Sequence, residues 1–405
     1  MMKIAALALA TTAALGLGAT SRPSLQSSPF AFSAFPDQRA DTPWPTREWA
    51  RAELDKAVDA NKLNALTNLL MKPADTSLGK TSSLLIIHQG KIVFERYAPQ
   101  HSCNTIEHTM SVSKMMGAVI AGVMVSQRRA ELDRPLGLKR WSPGDPRTAI
   151  TLRHALEMST GLGWEEEGDA TFLDFAFGEG YRDLVGYVTK QPLRHRPGAY
   201  FQYSDGTSSL VGALALQRVG SSRTAIANWV QSSILAPTGM TRTELEFDKK
   251  GAWYGSSGVR WSPCDLGRFG TLLLRGGEWD GQAILPKDWV NQMRTPSMAS
   301  MKQPLIVSDT SDQAIYYGLQ TFIWDLQPRT FDNRDRAVVP IDAFGHYGFG
   351  GSALRIVPSR DVVLVAVGVG ANDEKATAQR IEIYRMMTDL FPELASASTS
   401  NIAAD

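Results

Sequence analysis

A serine at position 111 and a lysine at 114 are the residues of this chain whose types and spacing most directly make chemistry possible. Ser111-Val112-Ser113-Lys114 leads into an apolar run, and on a helix residues three apart share a face. An amine is thereby set beside a hydroxyl. Serine is a weak nucleophile until a neighbour takes its proton, and a desolvated lysine can take it. The N–H groups and positive dipole end of the same helix start favour developing negative charge. Four residues with two fixed also recur by chance, and the plain alternative is a helix start carrying a surface lysine. Two further segments follow in order. Phe201-Gln202-Tyr203-Ser204-Asp205-Gly206 precedes a helical run, and Gly345-His346-Tyr347-Gly348-Phe349-Gly350-Gly351 precedes an apolar strand. Tyr203 supplies a second group able to move a proton.

The ordered set S-x-x-K, Y-x-[N/D] and [K/H]-x-G resembles the serine β-lactamase and penicillin-binding-protein superfamily. The resemblance is to the branch containing class C β-lactamases, family VIII-type carboxylesterases, D-aminopeptidases and aminohexanoate-oligomer hydrolases. Segments 150–162, 258–270 and 276–289 are similar to further parts of the family pattern, so the likeness covers most of the chain after the N-terminal region. It implies that Ser111 attacks a carbonyl and forms an acyl-enzyme. Lys114 and Tyr203 then share the proton work as a coupled pair, with the base assigned to neither. The oxyanion falls to the backbone N–H groups of Ser111 and Phe349. Asp205, His346 and Gly348 fall on the substrate side. Two of these depart from the family pattern: β-lactamases of this branch usually carry Asn at the position of Asp205 and Lys at that of His346. An ionised Asp cannot donate to a substrate amide carbonyl, and a neutral His offers no fixed charge for a carboxylate. Both departures favour an ester or linear amide over an anionic β-lactam. The alternative for each residue is a structural one, holding the site by hydrogen bonds.

The elements that must carry these residues are legible in outline. Positions 48–70 have helical spacing of Leu and Val. Positions 83–88 and 92–97 are β-rich runs about Gln89-Gly90-Lys91, a hairpin signal. A second hairpin is expected from 354–357 and 362–369, turning at Pro358-Ser359-Arg360-Asp361. The run after Ser111 is apolar on a broad face and therefore buried. Thr151 is a candidate cap for a short helix ending near Gly161. Ser262, Pro263 and Asp265 give a cap, a first-turn proline and a first-turn acid. An amphipathic helix over 376–390 closes the chain. The expected class is α+β: an antiparallel sheet built from both chain ends, flanked by terminal helices, with an all-helical region inserted. The family resemblance implies the same architecture. The corresponding boundaries are a signal peptide at 1–20, a linker or surface arm at 21–45, a sheet domain at 46–109 and 251–395, a helical domain at 110–250 and a disordered tail at 396–405.

Composition excludes more than it identifies. Forty-two basic and forty-one acidic residues give a net charge of +1, and there is no dense basic cluster along the sequence, so a nucleic-acid binder is not expected. The nearest approach, Arg194-His195-Arg196, reads as a solvated loop. Positions 1–19 have a basic start and an uncharged, mostly apolar run, as in a secretory signal. The run is short for a membrane span, which needs about 20 residues; the alternative is an uncleaved anchor. Export implies a periplasmic or secreted protein, with no stable membrane insertion after cleavage. Export would allow Cys103 and Cys264 to pair, but pairing geometry cannot be read from sequence, and two buried free thiols are the expectation. No G-x-S-x-G, H-E-x-x-H or C-x-x-C occurs, and the remaining histidines lack ligand spacing, so no metal or cofactor is expected. Glu165-Glu166-Glu167 reads as a solvated loop rather than a deacylating acid. Trp164, Trp253, Tyr254 and Trp324 either line an acyl pocket or pack the core. Three functions remain: an ester or short-amide hydrolase acting on small molecules, a β-lactamase or D-Ala-type peptidase, and a penicillin-binding-like sensor without turnover.

Overall fold

The computed structural model describes residues 30, 32–72, 78–164, 175, 178–306, 314–324, 342–369 and 374–394. The sequence expectations for a signal peptide, for Glu165-Glu166-Glu167 and for the tail after 395 lie outside them.

Helices of twelve residues or more, numbered here α1–α5, are Ala60–Met71, Lys114–Ser126, Asp205–Arg218, Pro263–Leu274 and Glu374–Thr388. The strands are β1 Lys80–His88, β2 Lys91–Tyr97, β3 Glu107–His108, β4 Thr243–Leu245, β5 Val259–Trp261, β6 Glu278–Trp279, β7 Gln282–Ala283, β8 Leu305–Ile306, β9 Ala314–Tyr317, β10 Phe322–Ile323, β11 Phe344–Gly348, β12 Ser352–Val357 and β13 Val362–Val369. The main sheet runs β2-β1-β13-β12-β11-β10-β9-β8, with every adjacent pair antiparallel. Both expected hairpins form, and the first and last long segments of the chain meet in the pairing of β1 with β13.

The sheet is covered on both faces, which explains why its central strands read as unbroken apolar runs rather than alternating ones. Leu84 and Ile86 of β1 and Leu364 and Ala366 of β13 pack with Leu63, Leu66 and Leu70 of α1 and with Tyr384 and Met387 of α5. Leu85, Ile87, Val363 and Val365 face the other way, into the core that holds α2 and α4. Helix α4 lies close on this face because Gly267 and Gly270 have no side chain: a Cβ would meet Ile87 at 2.8 Å and Val363 at 2.5 Å. Ser262 caps α4 by accepting from the Asp265 N–H, with Pro263 in the first turn, as the sequence indicates. The structure is α+β, with most of the helical chain between β3 and β4.

Several sequence expectations need correction. The helix expected over 48–70 begins only at Ala60. Upstream, Ile92 of β2 engages the chain instead, accepting from Ala52 N at 3.0 Å and donating to Ala50 O at 2.9 Å. Asp59 then starts the helix by accepting from Lys62 N. Thr151 does cap a helix, but it spans only Leu152–Leu156, because Met158 enters the left-handed region at φ 56°. The described part of the N-terminal arm is firmly seated: Arg294 lies over the rings of Phe32 and Phe35, at 4.9 and 4.2 Å, and donates to Ser33 O.

The two cysteines are not free thiols. Cys103 and Cys264 form a disulfide that joins the loop before β3 to the first turn of α4, across 161 residues of sequence. Closing so long a loop stabilises by at most about 5 kcal/mol in the chain-entropy account, and loss of native disulfides generally costs about 2–5 kcal/mol. Cys103→Ser is therefore expected to lower unfolding free energy by about 2–5 kcal/mol in denaturant titrations. A midpoint unchanged between variant and oxidised protein would show that the bridge contributes nothing.

Candidate active site

Ser111 sits in a 3-10 turn, Met110–Ser113, that runs directly into α2 at Lys114. Ser113, which the sequence reading did not assign, clips this turn to β5: its hydroxyl accepts from Val259 N at 3.1 Å and lies 3.3 Å from Val259 O. Every residue of α2 from Lys114 to Met124 is buried. Lys114 is thus carried into the interior by the helix, with 0% of its side chain exposed.

An ammonium has three protons to place and no lone pair. Lys114 Nζ donates to Ser111 Oγ at 2.9 Å, to Asp205 Oδ1 at 2.6 Å and to the Ser256 carbonyl at 3.3 Å. The number of acceptors matches the number of protons, and the 2.6 Å contact is an ion pair. Asp205, expected against substrate, is therefore engaged as the counter-charge of the buried lysine. It opens α3, where Ser204 caps the helix by accepting from Thr207 N. Helix α3 packs against α2, so both helices begin at this site.

Tyr203 completes the group. Its ring lies under Lys114 Nζ at 4.7 Å from the centroid, stacks on Phe322 at 5.8 Å and meets Tyr317 edge-on at 6.0 Å. Tyr317, absent from the sequence reading, is fully buried, and burial followed by the neighbouring Tyr203 pushes its phenol well above the ordinary range.

His346, expected on the substrate side, is a buried residue whose ring lies 6.1 Å from that of Tyr203. The β11 backbone turns it inward, where it is 0% exposed and packed on Phe322 at 4.2 Å between ring centroids. Its Nδ1 donates to the Tyr347 carbonyl at 2.6 Å, since a carbonyl can only accept, and its Nε2 has no hydrogen-bond partner among the described residues. Burial first, then the Lys114 cation, push the imidazole well below its usual range, so it is neutral at pH 7. The folded state resists a proton that the unfolded chain accepts near pH 6.5. This contribution to stability is present above pH 6.5 and is lost as pH falls below it, by up to about 1.4 kcal/mol per pH unit. His346→Leu is expected to flatten that acid limb in thermal unfolding between pH 5 and 7. Parallel curves for the two proteins would place the acid sensitivity elsewhere.

Gly348 ends β11 against the nucleophile turn. A Cβ there would lie 2.1 Å from Thr109 O and 3.1 Å from Ser111 N, so no side chain fits. Phe349 follows at once in a short 3-10 turn. The amides expected at the oxyanion, those of Ser111 and Phe349, thus belong to adjacent segments. Phe349 and Met110 are exposed apolar side chains, at 57% and 37%. Of the aromatic residues read as acyl pocket or core, Trp253 is core: it is fully buried against Gly117 and donates to Gly258 O. Trp164 is buried against Gly206, beside Asp205. Trp324 is buried at 7% exposure, with Arg355 over its ring. Tyr254 alone of the four is only partly buried.

A sequence model of the β-lactamase family matches residues 79–383, three quarters of the chain and every residue of this site. The chain belongs to the β-lactamase family. Solved structures agree on the fold. A protein named as a 6-aminohexanoate-dimer hydrolase from Bacillus anthracis superposes with a TM-score of 0.65 at 17% identity, covering 90% of this chain and 92% of its own. One named as a β-lactamase from Bacteroides dorei gives 0.62 at 18%, covering 82% and 99%. A simvastatin synthase from Aspergillus terreus gives 0.56 at 16%, covering 81% and 98%. No curated protein sequence matches closely enough to count as a relative. In this family member, the S-x-x-K lysine and the Y-x-D acid are bound to each other.

Proposed function

We propose that this β-lactamase-family protein is an exported serine hydrolase that cleaves carboxylic esters or short amides through an acyl-enzyme on Ser111. The observation that carries the proposal is the donation from Lys114 to Ser111 Oγ, with Asp205 fixing the lysine from behind. Because Oγ accepts from Lys114, its own proton is free to leave toward another group. Lys114 has its three protons placed and no lone pair, which leaves Tyr203 as the proton acceptor and Lys114 as the stabiliser of the developing alkoxide. Oγ then bonds to the acyl carbon. Tyr203 passes its proton to the leaving alcohol or amine, and water repeats the sequence to release the acid.

The substrate class follows from charge. His346 is buried and neutral, and Asp205 is committed to Lys114, so neither offers a substrate carboxylate a free cation or a substrate amide a side-chain donor. Exposed Met110 and Phe349 beside Ser111 suit a neutral, apolar acyl group. The linear-amide chemistry in the name of the Bacillus anthracis neighbour belongs to the same class. Export is supported by the apolar N-terminal run and by the Cys103–Cys264 disulfide, since disulfides persist in oxidising compartments; the location proposed is periplasmic or secreted.

The deciding assay compares a chromogenic short-chain ester with a chromogenic cephalosporin on protein beginning near residue 22. Fast ester cleavage with negligible cephalosporin turnover is expected. Comparable rates would move the assignment to β-lactamase, and turnover of neither would favour a binding protein.

A further inference from the structure

Helices α2 and α3 start at the active site and pack side by side, and both end at a second place in the molecule. There a cavity of about 190 Å³ is lined by Arg128, Arg129, Arg134 and Arg218, with Glu131 as its acid. Thirteen residues of α2 separate this cavity from the nucleophile turn, roughly 20 Å at 1.5 Å per residue. It is therefore not a subsite of the hydrolase centre. The sequence concealed the cluster, because Arg218 lies far along the chain from the other three.

We propose that this cavity binds a phosphate-type oxyanion. The plain alternative is that the arginines only offset the negative ends of two helices. Each helix end carries about half a negative charge, so two ends and Glu131 come to about −2 against four guanidinium charges. The four arginines are exposed to solvent, and about two positive charges remain without a protein counter-charge. Hydrogen bonding identifies them. Arg129 is tied down, donating to Gln127 Oε1 at 3.1 Å and to Arg218 O at 3.0 Å. Arg134 faces Glu131 at 3.5 Å. The Arg128 and Arg218 side chains have no hydrogen-bond or ion-pair partner among the described residues.

The backbone adds a second observation. Arg128 follows the last turn of α2 in the left-handed region, at φ 57°, while Arg129 N donates back to Met124 O at 2.8 Å. This helix stop turns the chain so that Arg128, Arg129 and Arg134 all fall on the cavity at the end of α2. The planar guanidinium fork matches phosphate oxygens in a bidentate way. The cavity is smaller than the roughly 300–1,000 Å³ of drug-sized sites, which suits a phosphate or pyrophosphate group rather than a large organic anion.

Titration calorimetry of the full chain with pyrophosphate tests the site independently of any hydrolase activity. Saturable binding at one site is expected, weakened at least tenfold in the Arg128→Ala/Arg218→Ala variant, whose melting temperature and ester turnover stay those of the wild type. A second arm uses vesicles of phosphatidic acid in phosphatidylcholine. Arginine-dependent vesicle binding without pyrophosphate binding would support the site and identify the phosphate as a lipid headgroup. Absence of both, or equal binding by the double variant, would overturn the proposal.

Discussion

Replacing Ser111 by Ala is expected to abolish turnover of esters and amides, by about 10⁴-fold or more, the scale seen when a covalent nucleophile is removed. The fold should survive the change. Lys114 loses one acceptor but keeps Asp205 and the Ser256 carbonyl, and the 3-10 turn keeps its anchor through Ser113 and Val259. A melting temperature near that of the wild type therefore accompanies the loss of rate. Mass spectrometry separates nucleophile from spectator. With a slowly deacylating ester the wild type gains one acyl group and Ser111→Ala gains none. Residual turnover within tenfold of the wild type in the purified variant would end the acyl-enzyme mechanism.

Asp205→Ala should produce the largest loss of stability among single changes at the site. It leaves a fully buried ammonium without its counter-charge, and breaking a buried pair from one side costs about 3–5 kcal/mol. Asp205→Asn keeps an oxygen acceptor at the same place and should cost less. The sign of the pH dependence distinguishes charge from packing. An unpaired buried lysine is relieved by losing its proton, so the deficit of Asp205→Ala relative to the wild type should shrink as pH rises from 6 to 9. Denaturant midpoints across that range give the answer. A pH-independent deficit would mean that Asp205 acts as packing, and an absent one that Lys114 is not held as an ammonium. Asp205→Asn also tests specificity: its cephalosporin-to-ester ratio should rise, as Asn can donate to an amide carbonyl and Asp cannot.

What could be read in advance was local or periodic. The two hairpins, the caps at Thr151 and Ser262, the buried helix after Ser111 and the closing helix all follow from turn chemistry and apolar spacing within a few residues, and each forms. The errors came where a distant segment competed for the backbone. Residues 50–52 have helix-compatible spacing, yet Ile92 takes their hydrogen bonds. Tyr203, Asp205 and His346 were found by motif, but a motif gives residue type and order, not direction. Whether His346 points to substrate or into the core depends on which face of β11 is covered, and here Phe322 and Tyr317 cover it.

The sequence by itself marked Ser111 as the candidate nucleophile, the residues gathered around it and the α+β class, because helix and strand periods and a fixed motif order are one-dimensional properties. Tertiary structure alone decided that Asp205 neutralises Lys114, that His346 is sealed away uncharged, that Cys103 meets Cys264 and that four arginines share one cavity. Those outcomes depend on distances between residues far apart in the chain. Charge pairing, burial and disulfide bonding act over a few ångströms of space, and spacing along the sequence does not encode that separation.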